Sequence, residues 1–354
     1  MHSLQLHEQL LQHLGELRLP LPKPERLNLA LLCQALAVSP NCHLATLALG
    51  LPVPGQREQL IQRLRRFLKN DHLRTADCYR VLAREVLAHW PQREVNLVMD
   101  RTDLADRQSI LTLGVAYRKR VLPLGWDIFD FGASDTERQI GLLERVHPDL
   151  PPTAMRIQVY ADCEFRSVGL QEACRRYGWH WQLGLKGDVA FHAGDRHWQR
   201  LNTLNLERGE RRNLHGVYLN QNHPFGPVDV IADWAVNQEH PRYWSLDQRA
   251  DAQAWRRGRK RYWIEPTFRD WKSYGFDLEQ SRLQDPDRLN VLLLGLAFTT
   301  VWMIALGAHL IQQSREHELR PPDKADYSVF RLGRDYVQRC RTLGRPIPVR
   351  FTAT

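Results

Sequence analysis

Three acidic residues are placed so that they could share a metal ion. Asp100 follows the apolar run "NLVM", and Asp162 follows "QVYA". Both runs are typical of buried strands, and ligands of open sheets collect beyond strand ends, so we expect the two carboxylates in one crevice. Glu265 lies in "RYWIEPTFRDWK", within the most basic stretch of the chain. Three carboxylates without a His or Cys ligand set suit a hard cation, Mg²⁺ or Mn²⁺. From the spacing alone, structural caps explain these acids equally well.

The chemistry of such a site is phosphodiester cleavage. Two paired ions can activate a water or a 3′-hydroxyl and stabilise the leaving oxygen. The 354-residue chain has a net charge of +9, which favours a polyanionic partner. Nucleic acid and an anionic membrane surface both remain open on this evidence. The six cysteines are scattered without a CxxC pair, which argues against a disulfide framework or a zinc finger.

The segment that must position the first two acids has the pattern of a sheet. "EVNLVMDRTDL" and "RIQVYADCEF" read as strands ending on Asp100 and Asp162, and "SILTLGVAYRKRVLPLGWDIFDF" reads as two strands with a tight "RKR" connection. Ser134, with a Glu three residues later, predicts a helix start. Strands followed by helices predict an α/β or α+β sheet core over residues 94–190. Residues 190–250, broken by Gly, Pro and Asn, predict a β-rich insertion.

The third acid lies in a helical segment. Because proline disfavours the α conformation in the residue before it, the helix is expected to start at Pro266, leaving Glu265 at its edge. A kinked helix that runs through Pro266 is the alternative. From there Phe268, Trp271 and Tyr274 are expected to face the core, while Arg269 and Lys272 can reach phosphate.

Two other segments leave a choice between surface and core. "REQLIQRLRRFLKN" predicts a basic amphipathic helix, whose exposed cations include Arg65, Arg66 and Lys69. That helix is either an ordinary solvated face or a surface against DNA phosphates. Residues 291–311 hold no charged residue and are long enough to cross a membrane. We favour a buried core helix, because the segment is solitary and rich in small residues.

The acidic motifs together resemble those of the DDE-type insertion-sequence transposases. The resemblance runs from about residue 25 to 335 and includes the helical region before the sheet. "RYWIEPTFRDWK" is similar to the YREK signature of such enzymes, with Arg261, Glu265 and Lys272 at the family's spacing. The Tyr position of the signature falls on Gly258. The resemblance implies a ribonuclease H-like core with a β-rich insertion between the second and third acids, and a helical N-terminal region.

The resemblance also implies an activity and its site. Asp100, Asp162 and Glu265 would be the catalytic triad, holding Mg²⁺ or Mn²⁺ as two ions. The residues expected to contact DNA are Arg261, Lys272, Arg269, Arg65, Arg66 and Lys69. Such enzymes cleave transposon ends and join the freed 3′-hydroxyl to target DNA, and some use a DNA hairpin. Their insertion can hold a flipped base by aromatic stacking, for which Trp198 and Trp244 are the candidates.

The expected partners and organisation follow from the same resemblance. The partner is double-stranded DNA, bound by a homodimer in the bacterial cytoplasm at the nucleoid, without a membrane. The expected regions are 1–92 (helical, DNA-binding), 93–189 (first part of the core), 190–250 (insertion), 251–314 (second part of the core) and 315–354 (basic tail). The alternative function is a catalytically inactive, transposase-derived DNA-binding protein, which the Gly at position 258 suggests.

Overall fold

A mixed β-sheet forms the centre of the fold. The computed structural model describes residues 2–90, 93–151, 156–194, 197–321 and 327–352, and the sheet within them has ten strands. The strands are β1 (Glu94–Leu104), β2 (Gln108–Tyr117), β3 (Arg120–Asp130), β4 (Arg156–Ala161), β5 (His180–Leu185), β6 (Ala190–His192), β7 (Gln199–Arg200), β8 (Arg211–Leu219), β9 (Phe225–Asp233) and β10 (Arg242–Leu246). Their order across the sheet is β3-β2-β1-β4-β5-β10-β9-β8-β6-β7.

Helices precede this sheet, cross between its strands and follow it. Those before the sheet are α1 (His2–Glu16), α2 (Lys23–Val38), α3 (Leu44–Leu49), α4 (Arg57–Leu68) and α5 (Thr75–Ala88). Those between strands are α6 (Thr136–Val146) and α7 (Val168–Arg176). Those after the last strand are α8 (Ala252–Gly258), α9 (Ile264–Arg269), α10 (Pro286–Gln312) and α11 (Val329–Leu343).

The first five strands have the arrangement expected of a ribonuclease H-like core. β3, β2 and β1 are antiparallel neighbours, whereas β1 with β4 and β4 with β5 are parallel. Parallel neighbours require a crossover connection, and α6 and α7 lie in those connections. The "RKR" connection is the tight turn predicted, with Arg118 and Lys119 both at positive φ between β2 and β3. The predicted mixed α+β fold class is confirmed.

The strands of residues 190–250 extend the same sheet. β10 is antiparallel to β5, with Tyr243 opposite Leu185, and β9 and β8 continue outward from it. The β-rich stretch therefore shares backbone hydrogen bonds with the core instead of forming a sheet of its own. The division of the chain into five regions stays a prediction.

The apolar segment 291–311 lies in α10, which is long and apolar enough to cross a membrane, but its most apolar window is 100% buried inside the protein. The helix contacts α2, α5, β3 and α11. Its approach to α11 is close at two glycines: a Cβ on Gly307 would lie 1.9 Å from the carbonyl oxygen of Val329, and a Cβ on Gly333 would lie 1.9 Å from that of Met303. The prediction of a core helix is confirmed, and α11 is packed against it.

The start of α6 differs by one residue from its prediction. The cap is Asp135, whose carboxylate accepts a hydrogen bond from the Arg138 amide, and not Ser134. Ser134 instead donates its hydroxyl and amide protons to the carboxylate of Glu164. The capping residue is the one at which the backbone changes from extended to helical angles. Ser and Asp are equally good capping residues, so the sequence does not tell which of two neighbours is the cap.

Candidate active site

Asp100 and Asp162 lie at the same edge of the β1–β4 pair. The parallel pairing ends with Val98 opposite Tyr160, so both carboxylates come two residues beyond the last paired position. Asp162 directly follows β4, as predicted. Asp100 does not end its strand, because β1 runs on to Leu104 against β2, with Asp100 opposite Thr112. The longer strand makes Asp100 the more rigid of the two and buries its side chain.

A continuous helical run brings Glu265 to this edge. It passes from α8 through a 3₁₀ segment, Arg259–Trp263, into α9, so the helix does not begin at Pro266 and the alternative of a helix running through it is correct. Pro266 is the third residue of α9, so its missing N–H falls close to the junction between the 3₁₀ and the α-helical hydrogen-bond patterns. The Thr267 hydroxyl accepts the Val121 amide proton at 2.9 Å and fixes α9 to β3.

Beyond α9 the backbone widens into a π-helical turn, Asp270–Tyr274. Phe268 and Trp271 are buried, as predicted, but the prediction for Tyr274 is wrong: it is 78% exposed. An extra residue per turn rotates the following side chain away from the position that 3.6-residue spacing predicts.

The guanidinium of Arg261 joins the three acids. Its Nη1 lies 2.7 Å from Glu265 Oε1, and its Nη2 lies 3.2 Å from Asp162 Oδ2 and 3.6 Å from Asp100 Oδ2. The arginine side chain is only 15% exposed, and its Nε is buried without a hydrogen-bond partner. One cation therefore faces carboxylates from β1, from the end of β4 and from α9.

Burial also changes the acid strength of Asp100. Removal from water raises the pKa of Asp100 to about 7, with Asp162 and Glu265 adding to the rise and Arg261 opposing it. Asp100 therefore holds its proton to a higher pH than an ordinary aspartate does. Among the described residues, no group of three or more His, Cys, Asp or Glu side chains is arranged to hold a metal ion. The oxygen-only donor set suits Mg²⁺ or Mn²⁺, but Arg261 lies where the three acids converge.

A second set of contacts orders the loop that carries Asp162. Asp162 Oδ1 accepts the amide proton of Glu164 at 2.8 Å. Glu164 pairs with Arg101 at 3.0 Å, and Arg101 also pairs with Asp103. The sequence analysis missed Arg101 and Glu164, although each lies within two residues of a predicted acid.

The residues predicted to contact DNA are in different situations. Lys272 donates to the Asp103 carbonyl at 2.5 Å and pairs with Glu279 at 3.5 Å, so its charge is engaged within the protein. Arg269 is exposed and forms no hydrogen bond or ion pair within the described part of the chain. Arg65 and Arg66 on α4, and Lys69 directly after it, are exposed in the N-terminal helical region, and none of them contacts the three acids.

The tryptophans predicted to stack on a base also differ. Trp198 is half-buried, and its ring meets His192 edge-on at 4.4 Å. His192 in turn stacks on Tyr218 at 5.2 Å, so Trp198 belongs to a partly exposed aromatic group. Trp244 packs against the small cluster that contains Ile231 and is held by the protein.

Gly258 packs closely against the side chain of Gln182. A Cβ at this position would lie 2.1 Å from Nε2 of the buried Gln182. A tyrosine therefore cannot replace it while Gln182 keeps its place. The nearest tyrosine, Tyr262, lies against the Arg261 guanidinium, whose Cζ is 5.0 Å from the ring centroid, and its hydroxyl accepts a hydrogen bond from Arg242.

Comparison with known proteins bears on this arrangement. The family model described as "Transposase DDE domain" matches residues 107–302 of the chain. The matched range contains Asp162 and Glu265 and begins seven residues after Asp100. No curated protein matches the chain.

Proposed function

The chain belongs to the family of transposases with a DDE domain, whose model matches more than half of its length, and we propose that it cleaves DNA at the ends of a mobile element and joins them to target DNA. The observation that carries this proposal is that Asp100, Asp162 and Glu265 all face the guanidinium of Arg261. Water would cleave the phosphodiester at the element's end and leave a free 3′-hydroxyl. That hydroxyl would attack a target phosphorus and expel its 3′-oxygen.

We propose the three acids as the ligands of Mg²⁺ or Mn²⁺. Bound there as a pair, the ions would supply activation of the attacking oxygen and stabilisation of the leaving one. The donor set supports this, because hard divalent cations prefer carboxylate oxygen. Asp100 must lose its proton before it can act as a ligand, so its high pKa favours activity above neutral pH.

The residues of the chain itself have distinct proposed tasks. In this structure Arg261 offsets part of the negative charge of the three acids. With metal ions bound to the acids, it would instead contact a phosphate. Lys272 fixes the strand end near Asp103 and positions the site. The proposed cations for DNA phosphates are Arg269, Arg65 and Arg66 on α4, and Lys69 at its end. Among the aromatic residues, Trp198 is the better candidate for a flipped base, because Trp244 is packed against its neighbours.

The biological setting is proposed from the family. The substrate would be duplex DNA with inverted repeats at the element's ends, paired by a homodimer at the bacterial nucleoid in the cytoplasm. The resemblance to the YREK subgroup stays a prediction, because Gly258 departs from it.

A second function is a DNA-binding protein that has lost catalysis. The observation that favours it is Arg261, which lies between the acids where they would bind metal. A DNA cleavage assay distinguishes the two functions. It combines purified protein, Mg²⁺ and a plasmid that carries the inverted repeats flanking the gene. We expect nicking and joining by the wild type and by Asp106→Asn, an exposed loop acid, and none by Asp162→Asn or Glu265→Gln. Equal cleavage by the triad variants would contradict this site, whereas salt-sensitive DNA binding without any cleavage would favour the second function.

A further inference from the structure

A groove lined by four arginines opens beside the triad. It has a volume of about 600 Å³ and lies between the start of β3, the end of α9 with its π-helical turn, and the first turns of α11. Its charged lining residues are Arg120, Arg269, Arg331 and Arg334, together with Asp270 and Asp335.

The charge of this groove is strongly unbalanced. Its four arginines face two acids, Asp270 and Asp335. Asp270 is buried and engaged with Arg120 at 2.6 Å, so its charge does not reach the groove surface unpaired. The turn before β3 adds Arg118 and Lys119, which directly precede Arg120 in the chain. A concave surface with this excess of positive charge attracts a polyanion.

Two of the arginines are held in place by the protein. Arg120 is fixed by Asp270, and Arg334 donates to the carbonyl oxygens of Tyr274 at 3.2 Å and Ser39 at 3.1 Å. The other two, Arg269 and Arg331, are exposed. Arg331 has a weak pair at 3.4 Å with Asp335, and Arg269 has no partner in the described ranges. The groove thus combines two arginines that the protein holds in place with two exposed ones, of which Arg331 is held only by Asp335 and the ring of Tyr327.

The groove lies close to Glu265 along α9, which indicates that its polyanionic partner is the DNA bound at the triad. Pro266 follows Glu265 directly, and Arg269 lies one helical turn further along α9. Four residues of helix rise about 6 Å, which is less than two nucleotide steps along the axis of duplex DNA. A strand that runs from the triad along α9 therefore brings its neighbouring phosphates to the groove. The exposed ring of Tyr274 adds a flat apolar surface for a sugar or base.

We propose that this groove binds the phosphodiester backbone of the DNA next to the phosphate that is cleaved. The proposal rests on the proposed function and assigns part of the substrate contact to α11, in the region that the sequence analysis treated as a basic tail. Arg269 and Arg331 would make the phosphate contacts, while Arg334 adds positive charge behind them.

The test is the salt dependence of DNA binding. Fluorescence anisotropy would measure binding of a labelled, mixed-sequence DNA duplex in EDTA over a range of salt concentrations. The groove variant is Arg269→Gln with Arg331→Gln. The matched control is Arg339→Gln with Arg345→Gln, which removes the same charge from exposed positions beside another depression that involves α11. Circular dichroism and thermal unfolding would check that both variants fold.

Each phosphate contact contributes about one to the slope of log K against log salt. We expect the slope of the groove variant to fall by about 2, and that of the control to stay at the wild-type value. An unchanged slope in the groove variant, or an equal fall in both variants, overturns the proposal that the groove binds DNA. Neither result contradicts the proposed function. Wild-type protein without salt-dependent DNA binding would overturn the proposed function itself.

Discussion

Replacing Arg261 with glutamine tests whether this cation stabilises the three acids in the absence of metal. Arg261 contacts carboxylates at 2.7, 3.2 and 3.6 Å. Removing one partner of a buried ion pair costs about 3–5 kcal/mol. Asp162 and Glu265 are 34% and 43% exposed, so solvent screens part of the effect, and we expect a loss of about 2–3 kcal/mol.

The assay is thermal unfolding at pH 8, above the pKa of Asp100, in EDTA and in excess Mn²⁺. The expected loss corresponds to a melting temperature about 5 °C below that of the wild type in EDTA. With the arginine gone, the acids repel one another and are open to a cation. Mn²⁺ should therefore raise the melting temperature of the variant more than that of the wild type.

Arg120→Gln is the control for a general effect of losing a buried arginine. Arg120 and Asp270 are 12% and 9% exposed, similar to the 15% and 12% of Arg261 and Asp100. The control should be destabilised in EDTA without any added response to Mn²⁺. The reasoning is refuted if Arg261→Gln unfolds at the wild-type temperature in EDTA, or if Mn²⁺ shifts all three proteins equally.

Two further predictions concern Asp100 and Gly258. Asp100→Asn removes a carboxyl whose native pKa of about 7 exceeds its ordinary value of 3.8. Because the folded wild type holds this proton to a higher pH than the unfolded chain does, its free energy of unfolding falls as the pH rises between these two values. The stability advantage of the variant should therefore grow to a few kcal/mol by pH 7 and then level off. Urea unfolding of the metal-free proteins at pH 5 and pH 8 measures this, and a constant difference would contradict the assigned burial. Gly258→Ala would place a Cβ 2.1 Å from the Gln182 side chain and should lower the free energy of unfolding in urea by about 1–3 kcal/mol. Adding Gln182→Ala should recover part of this loss. Strictly additive effects of the two substitutions would rule out the contact.

Local patterns were enough to predict the hairpin and the core helix. The "RKR" turn separates two apolar runs, and α10 is a long apolar helix in a chain otherwise rich in charge. The acids were predicted from where apolar runs stop. Asp100 was misplaced at a strand end because β2 extends β1 on its other edge, and that pairing depends on tertiary structure.

The centre of the candidate site was not predictable from spacing. Arg261 reaches Asp162 across 99 residues of chain, so its contact depends on how β4 and the helical run come together. A sequence motif marks Arg261 as a DNA contact, whereas the structure engages it with the acids. The exposure of Tyr274 was missed for a related reason, because no residue pattern announces a π-helical turn.

The two glycines at the crossing of α10 and α11 have a consequence for the order in which the chain is made. α10 is synthesised before α11, since chains grow from the N-terminus. Until Gly333 packs against Met303, one face of α10, the most apolar helix in the described chain, is not covered by α11. A nascent chain at that stage exposes a surface that chaperones and membranes both recognise. Docking of the last described helix is therefore the step that covers this surface.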